Sequence, residues 1–379
     1  MRRLVLLAAV VCVALSATAC APRIQEIKIG CNAELTGSIP VVGQSCRNAA
    51  SMAVDEINKA GGLEVGGRKY TISLLVEDNE DKAESAAAVA QKLINQNQVL
   101  AIVGPNASRN AIPAASICES AKVPMISPWS TNPKTTDGKK YVFRACFIDD
   151  FQGVVTAKFA LNNLQAKTAA VLYDVGSEYN KGIAEVFKKT FEASGGKVVA
   201  FETYTTGDKD FSSQLTRIKD AAPDVLFLPN YYSEVPLQVQ QAHRLGYKGK
   251  ILGSDSWGSP EIIKLGGADM EGHYFSTHYA PDIATPAAQS FIKAYKEKYN
   301  GVPDDVAALT YDSFMLLFQA IKAAGKPDRQ AVRDALAGVT RFEGVTGVLE
   351  FKGTGDPVKS AVILQIKDGN FKYFETAKP

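Results

Sequence analysis

Apolar residues in this chain gather mostly in short continuous runs rather than alternating with polar ones. Ile27-Lys28-Ile29-Gly30-Cys31, Val99-Leu100-Ala101-Ile102-Val103, Val123-Pro124-Met125-Ile126, Ala169-Ala170-Val171-Leu172-Tyr173, Val225-Leu226-Phe227-Leu228 and Lys250-Ile251-Leu252-Gly253 are the clearest. Short runs of this kind, rich in branched residues and bounded by turn residues, predict strands of a parallel sheet covered on both faces. Helical periods separate them. Cys46, Ala49, Ala50, Ala53, Val54 and Ile57 recur at spacings of three and four before Gly61-Gly62 ends the helix. Asp81-Lys82-Ala83-Glu84 reads as a capping box for a helix reaching Ile94.

The stretch Val99–Pro133 shows the unit most plainly. Its first strand breaks at Gly104-Pro105, and Asn106-Ala107-Ser108 leads into a helix to about Ala121. Its second strand ends in Ser127-Pro128-Trp129-Ser130-Thr131. Such βαβ units deliver the loop after each strand to one sheet edge, where ligands bind. Ser108 is a good N-cap, so an anion beside it would face a helix N-terminus.

The pattern restarts near Asp149-Asp150, with helices at 151–164 and from Asp174–Tyr179 to Ser194, and strands at 169–173, 197–201, 225–229 and 250–253. Helices at Pro286–Tyr299, Ala307–Ala324 and Gln330–Ala337 come next, then the strand Val348–Phe351 and the pair Ala361–Ile366 and Phe371–Phe374. The fold class is therefore α/β, with two Rossmann-like lobes of parallel sheet. Crossings near Phe147–Asp150, Thr277–His278 and Asp356–Ser360 make a three-strand hinge over a cleft. Residues 25–148 with 278–357 form lobe I, and 149–277 with 358–376 form lobe II.

Residues 1–19 read as a signal peptide: Arg2-Arg3, the apolar run Leu4–Leu15, and the small residues Ala17-Thr18-Ala19 before Cys20. Cys20 is placed for lipid attachment, although Ala17 stands where a lipobox carries Leu, and ordinary secretory cleavage after Ala19 stays open. Removing Arg2 and Arg3 from the 42 basic residues leaves 40, equal to the 40 acidic ones. That balance argues against nucleic acid as a partner. No later run is long enough to span a bilayer, so the membrane is met only through the lipid anchor, and a monomer is expected. Cys31, Cys46, Cys118 and Cys146 permit disulfides in an exported chain. Cys31 ends a strand and Cys46 opens a helix, which makes them a candidate pair; four buried thiols are the other reading.

No nucleophile elbow, P-loop, dinucleotide fingerprint or His-Glu-x-x-His motif is present. His243, His273 and His278 read as structural, and no spacing suggests a metal or cofactor. What the strand ends assemble instead is a binding site without a catalytic residue. Ser108, Trp129, Ser130 and Thr131 come from the first lobe, and Tyr179, Tyr231 and Asp255 from the second. Asp255 needs a partner if buried, and a ligand ammonium supplies one; Ser108 and the Ser130–Thr131 backbone meet a carboxylate at the other end. Trp257 is left between wall and core, and Tyr311 unassigned.

At these residues the chain resembles the branched-chain amino acid binding proteins, type I solute-binding proteins of ATP-driven transporters. The resemblance rests on Leu35-Thr36-Gly37, Asp55-Glu56-Ile57-Asn58 with Gly61-Gly62, Gly104–Ser108, Met125-Ile126-Ser127-Pro128, Phe151-Gln152-Gly153, Tyr179 with Gly182, Lys209-Asp210-Phe211 and Tyr231-Tyr232. It implies export to the periplasm or the outer face of the cytoplasmic membrane, permease partners, and a neutral or branched aliphatic L-amino acid as ligand. It also implies a carboxylate grip by Ser108, Thr131 and the backbone near Trp129 and Tyr231, Asp255 on the ammonium, and Tyr179 closing the second lobe. Two departures stand out. Asp255 is shorter than the Glu of the best-known members, and Val41-Val42 replaces a loop Tyr. An amide or small carboxylate ligand, or a sensory role, is the alternative.

Overall fold

The computed structural model describes residues 25–379; the leader and Cys20 lie outside the described residues. The chain opens with β1 (Gln25–Ala33), α1 (Pro40–Lys59), β2 (Leu63–Val65), β3 (Arg68–Asp78), α2 (Ala83–Asn95), β4 (Ala101–Val103), α3 (Ser108–Ala121), β5 (Met125–Ser127) and β6 (Val142–Arg144). These strands form one sheet in the order β2-β3-β1-β4-β5-β6, parallel except for the β2–β3 hairpin. Next come α4 (Asp149–Asn162), β7 (Thr168–Asp174), α5 (Glu178–Ala193), β8 (Lys197–Tyr204), α6 (Ser212–Asp220), β9 (Val225–Leu228), α7 (Val235–Arg244), β10 (Lys250–Gly253), α8 (Glu261–Gly266) and β11 (Tyr274–Thr277). The chain then returns through α9 (Pro286–Tyr299), α10 (Asp305–Ala324), α11 (Arg329–Ala337), β12 (Arg341–Gly344), β13 (Gly347–Phe351) and β14 (Pro357–Val358), and ends with β15 (Ala361–Lys367) and β16 (Asn370–Ala377).

The second sheet runs β16-β15-β11-β10-β9-β7-β8, with β15 and β16 added antiparallel at one edge. Both sheets are doubly wound. In the first, α1 and α10 pack together on one face and α2 and α3 on the other; in the second, α4 and α5 face α6 and α7 across the strands. Burial on both faces explains the unbroken apolar runs, and β4, β7 and β9 are buried almost throughout. Strand order reverses beside β1 and β4 in one sheet and beside β7 and β9 in the other. Those switch points open crevices at the carboxyl ends of the strands.

Three short strands, β12–β13–β14, form a small antiparallel sheet of which the sequence pattern signalled only the middle member. The Asp312 carboxylate of α10 anchors its turn by accepting from the Val345 and Thr346 N–H groups and from the Thr346 hydroxyl. Beside it the buried Lys359 ammonium donates to that hydroxyl at 2.7 Å, and burial lowers its pKa to about 8. Two local expectations change. Asp81 does not cap α2, whose N-cap is Lys82 without a side-chain bond, because Asp81 instead takes a two-point grip from Arg109. The run Tyr141-Val142-Phe143-Arg144-Ala145-Cys146-Phe147 reads in the sequence as a strand over its whole length, but it pairs only over Val142–Arg144.

Cys31 and Cys46 meet below β1, their Sγ atoms 3.7 Å apart, as free thiols; an S–S bond is roughly 2.05 Å long. Cys118 and Cys146 are also buried thiols. No helix among the described residues is long and apolar enough to cross a membrane.

Helix α1 lies hard against the end of β1 at Gly43, where an added Cβ would stand 2.1 Å from the Glu34 carbonyl oxygen. Gly43→Ala is expected to destabilise the protein by roughly 1–3 kcal/mol through overpacking, read as a lower midpoint in chemical denaturation.

Candidate functional site

The carboxyl ends of both sheets converge on a small cavity of about 10 Å³, roughly the room one water needs, lined by Asn106, Ala107, Ser108, Trp129, Tyr179, Tyr231 and Asp255. Larger hollows open elsewhere on the surface, one of them beside Thr277 and Asp305 at the end of β11 and another beside Asn132, Asp149 and Glu178. Of the residues singled out in the sequence, Ser108, Trp129, Tyr179, Tyr231 and Asp255 line the cavity directly. Ser130 and Thr131 sit behind it, each buried to about 1 % exposure.

On the first sheet's side the loops after β4 and β5 are locked together. Ser108 is the first residue of α3 rather than its N-cap, and its hydroxyl accepts from the Ser130 hydroxyl at 2.9 Å and the Asn132 N–H at 3.3 Å. The capping role belongs to Glu34, at the end of β1. Its fully buried carboxylate accepts from the Asn106 and Ala107 N–H groups, both at 3.1 Å, and from the Asn106 and Asn110 side chains. The helix N-terminus thus already holds a resident acid, as its dipole favours. Burial raises the Glu34 pKa, and the donors pull it back down. Among the described residues the main-chain N–H groups of Ser108, Trp129 and Thr131 make no hydrogen bond. They are donors left over for something else.

Arg144 fixes this loop from behind. Its fully buried guanidinium donates to the Ser130 carbonyl at 2.6 Å, the Asn132 carbonyl at 3.0 Å and the Thr136 hydroxyl at 2.6 Å, and it pairs with Asp356 at 2.6 Å. Asp356 belongs to the segment that leads to the last crossing between sheets, so one side chain ties the ligand loop to that crossing. The signal was a single arginine inside an apolar strand.

On the second sheet's side Asp255 starts a short 3-10 turn after β10 and is 1 % exposed. It does not cap the turn. Oδ1 accepts from the Tyr179 hydroxyl and from Gln152 Nε2 at 3.0 Å, and Oδ2 is 3.0 Å from His278 Nε2. A carboxylate has about four acceptor positions, so roughly one remains for a ligand. His278, read from sequence as structural, is a working partner. It stacks on Phe147 at 3.7 Å, and burial lowers its pKa to about 4, so the neutral ring donates Nε2–H to Asp255. Gln152 was visible only as part of Phe151-Gln152-Gly153.

Aromatic rings close the remaining walls. Tyr231 stands between Trp129 at 6.1 Å and Tyr179 at 5.7 Å, so its ring and not only its backbone faces the cavity. The Arg109 guanidinium lies 4.8 Å over the Tyr231 ring, a cation–π contact bridging the halves. Asn132 Nδ2 donates to the Glu178 carbonyl at 2.9 Å in a second bridge. Trp129 is aimed by its indole N–H, which donates to Asp305 at 3.1 Å. Trp257 is core: fully buried, it donates to the Leu228 carbonyl and packs near Phe275. Tyr311 faces a surface hollow beside Phe291 and donates to Glu56, away from the cavity. Among the described residues no group of His, Cys, Asp and Glu side chains is placed to hold a metal ion.

His278 gives a pH test. Its folded pKa lies below the ordinary 6.5, so between pH 6.5 and about 4 the unfolded chain takes up a proton that the folded chain refuses. Stability therefore falls as pH drops through that window. His278→Gln keeps a donor for Asp255 and is expected to flatten the decline, measured by denaturation across the range.

Residues 26–370 match the family described as "Periplasmic binding protein". A leucine-, isoleucine-, valine-, threonine- and alanine-binding protein of Pseudomonas aeruginosa is 35 % identical over 332 residues, 87 % of each chain. Among solved structures, a leucine-binding protein LivK of Thermotoga maritima superposes with a TM-score of 0.88 at 37 % identity, covering 93 % of this chain and 99 % of that one. The branched-chain amino acid transporter substrate-binding protein LivJ of Streptococcus pneumoniae, in complex with isoleucine, also gives 0.88, at 35 % identity over 94 % and 100 % of the two chains. The two wound sheets, the cleft at their carboxyl edges and these likenesses agree: the chain belongs to the periplasmic binding protein family.

Proposed function

We propose that this protein captures a neutral aliphatic L-amino acid between its two sheets and delivers it to the permease of an ATP-driven transporter. The observation that carries this reading is the polarity of the cavity. One end offers Asp255, buried and with an acceptor position to spare. The other offers the Ser108 hydroxyl and the unpaired N–H groups of Ser108, Trp129 and Thr131. A zwitterion matches both ends, whereas an amide or a simple carboxylate leaves Asp255 without a charge partner. The rings of Trp129 and Tyr231 give the side chain an apolar wall, and Tyr179 holds Asp255 in place. The relative that binds leucine, isoleucine, valine, threonine and alanine, and the neighbour solved with isoleucine, point to the same ligand class.

In this reading the protein acts by binding alone, as a monomer. Lobe I comprises residues 25–148 and 278–357 and lobe II residues 149–277 and 358–376, the two closing about the crossings that join them. The family is extracytoplasmic, and Cys20 is the proposed lipid attachment that keeps the protein at the outer face of the cytoplasmic membrane after removal of residues 1–19.

Leucine at about one hundred times its dissociation constant is expected to stabilise the fold by about 2.7 kcal/mol, seen as an upward thermal shift in a screen of the amino acids. Isocaproate, which is leucine without its amine, is expected to give a much smaller shift. Asp255→Ala is expected to weaken leucine binding by about 3–5 kcal/mol, because the ammonium is then buried unpaired. Calorimetry checks this, and affinity within a factor of two of wild type would overturn the pose.

A further inference from the structure

Arg109 is the second residue of α3 and is not among the residues that line the cavity. Its guanidinium donates Nε–H to Asp81 Oδ1 at 3.0 Å and a terminal N–H to Oδ2 at 2.5 Å. Asp81 also accepts from the Ser38 hydroxyl at 2.8 Å and from Asn110 Nδ2 at 3.0 Å, and its side chain is 1 % exposed. All of these groups stand before the first crossing, so the first half by itself fixes the plane of the guanidinium. A bidentate carboxylate occupies only the edge of that plane and leaves its faces free to stack.

The second half covers one face. The Tyr231 ring, just after β9, lies 4.8 Å from the guanidinium carbon, and the Arg109 side chain is 17 % exposed. The next residue docks as well, since the Tyr232 hydroxyl accepts the Val41 N–H at 3.2 Å. A cation–π contact gains strength when it is sheltered from water. The Lys134–Glu178 pair also spans the halves, but its side chains are 64 % and 49 % exposed and it contributes little. Tyr231 in turn packs near Trp129 and Tyr179, both walls of the cavity. Its contact with Arg109 needs the two halves together, and it bears on the cavity through a ring that forms the wall.

We propose that Arg109 is the latch of the cleft, a positioning residue that holds Tyr231 against the first half and sets how long a captured amino acid stays. The proposal rests on the amino-acid reading given above. Because the latch lies outside the cavity, it favours the closed protein by the same amount whichever amino acid is inside. It therefore acts on release rather than entry, and on affinity rather than choice.

The test is stopped-flow kinetics and calorimetry on the full chain. Asp81→Asn with Arg109→Gln removes the cation without leaving a buried carboxylate alone. This paired change is expected to speed leucine release roughly tenfold, with the association rate within twofold of wild type. Affinities for leucine, valine and alanine are expected to fall by one common factor. In a Tyr231→Phe background, which keeps the ring, the paired change is expected to cost that same factor. In a Tyr231→Leu background it is expected to cost nothing further, which a merely structural defect would not allow. Arg109→Lys leaves Asp81 a cation and serves if the paired change does not fold. Its ammonium has no plane to lay on the ring, so release is expected to quicken several-fold, and not at all in the Tyr231→Leu background. An unchanged release rate in the folded variant, or the same loss with Tyr231→Leu as without it, would overturn the proposal. Absence of any amino-acid binding by wild type would instead remove the reading on which it stands.

Discussion

The structure depends on burying carboxylates, and a buried carboxylate must be surrounded by donors. Glu34, Asp81, Asp255, Asp305 and Asp312 each meet that requirement differently. Glu34 uses the Asn106 and Ala107 N–H groups just ahead of α3, and Asp81 uses the guanidinium of Arg109. Asp255 gathers a phenol, an amide and an imidazole from three separate elements, and Asp312 uses a turn of the small sheet. Asp305, whose pKa burial raises well above the ordinary range, takes the Trp129 indole from one half and the Thr277 hydroxyl from the crossing out of the other. Each demand draws together segments far apart in sequence, and those segments are the walls of the cleft.

Parallel winding explains why the walls meet. Each strand of a doubly wound sheet leaves at the same edge, so both halves present several loops to one gap. The loops are then made rigid from behind: Arg144 grips the Ser130 and Asn132 carbonyls, and the Ser108 and Ser130 hydroxyls bond one another. Rigid walls matter because a small dipolar ligand offers little area, and recognition of it rests on donors and acceptors fixed in advance. The contacts spanning the halves are few and mostly polar or aromatic, among them Arg109 over Tyr231, Trp129 against Tyr231, Asn132 to the Glu178 carbonyl, the Val41 N–H to the Tyr232 hydroxyl and the Lys134–Glu178 ion pair. A sparse interface of this kind suits halves that part and meet again around a guest.

The aromatic cluster shows how one residue serves both packing and recognition. Tyr231 carries Arg109 on its face, touches Trp129 and Tyr179, and lines the cavity. Trp257, which invited the same assignment, faces the other way. Gly253 leaves no space for a side chain beneath it, and the indole fills the core instead. Two tryptophans after two strand ends thus have opposite roles, decided by which side of the sheet edge each ring falls on.

Local pattern by itself determined the strands, the helices and their order, because continuous apolar runs and three-and-four spacing are consequences of burial that any stretch displays alone. It also determined the strand ends at Ser108, Trp129, Tyr179, Tyr231 and Asp255, since parallel winding places the loop after each strand at the same edge. Only the tertiary structure decided the partners. Glu34 displacing Ser108 as the cap of α3, Asp81 turning from α2 to Arg109, and His278 and Gln152 closing on Asp255 are contacts between residues tens to more than a hundred positions apart. Such pairings leave no periodic trace in a single chain. Their energy is set by desolvation at a place that does not exist until both sheets have formed.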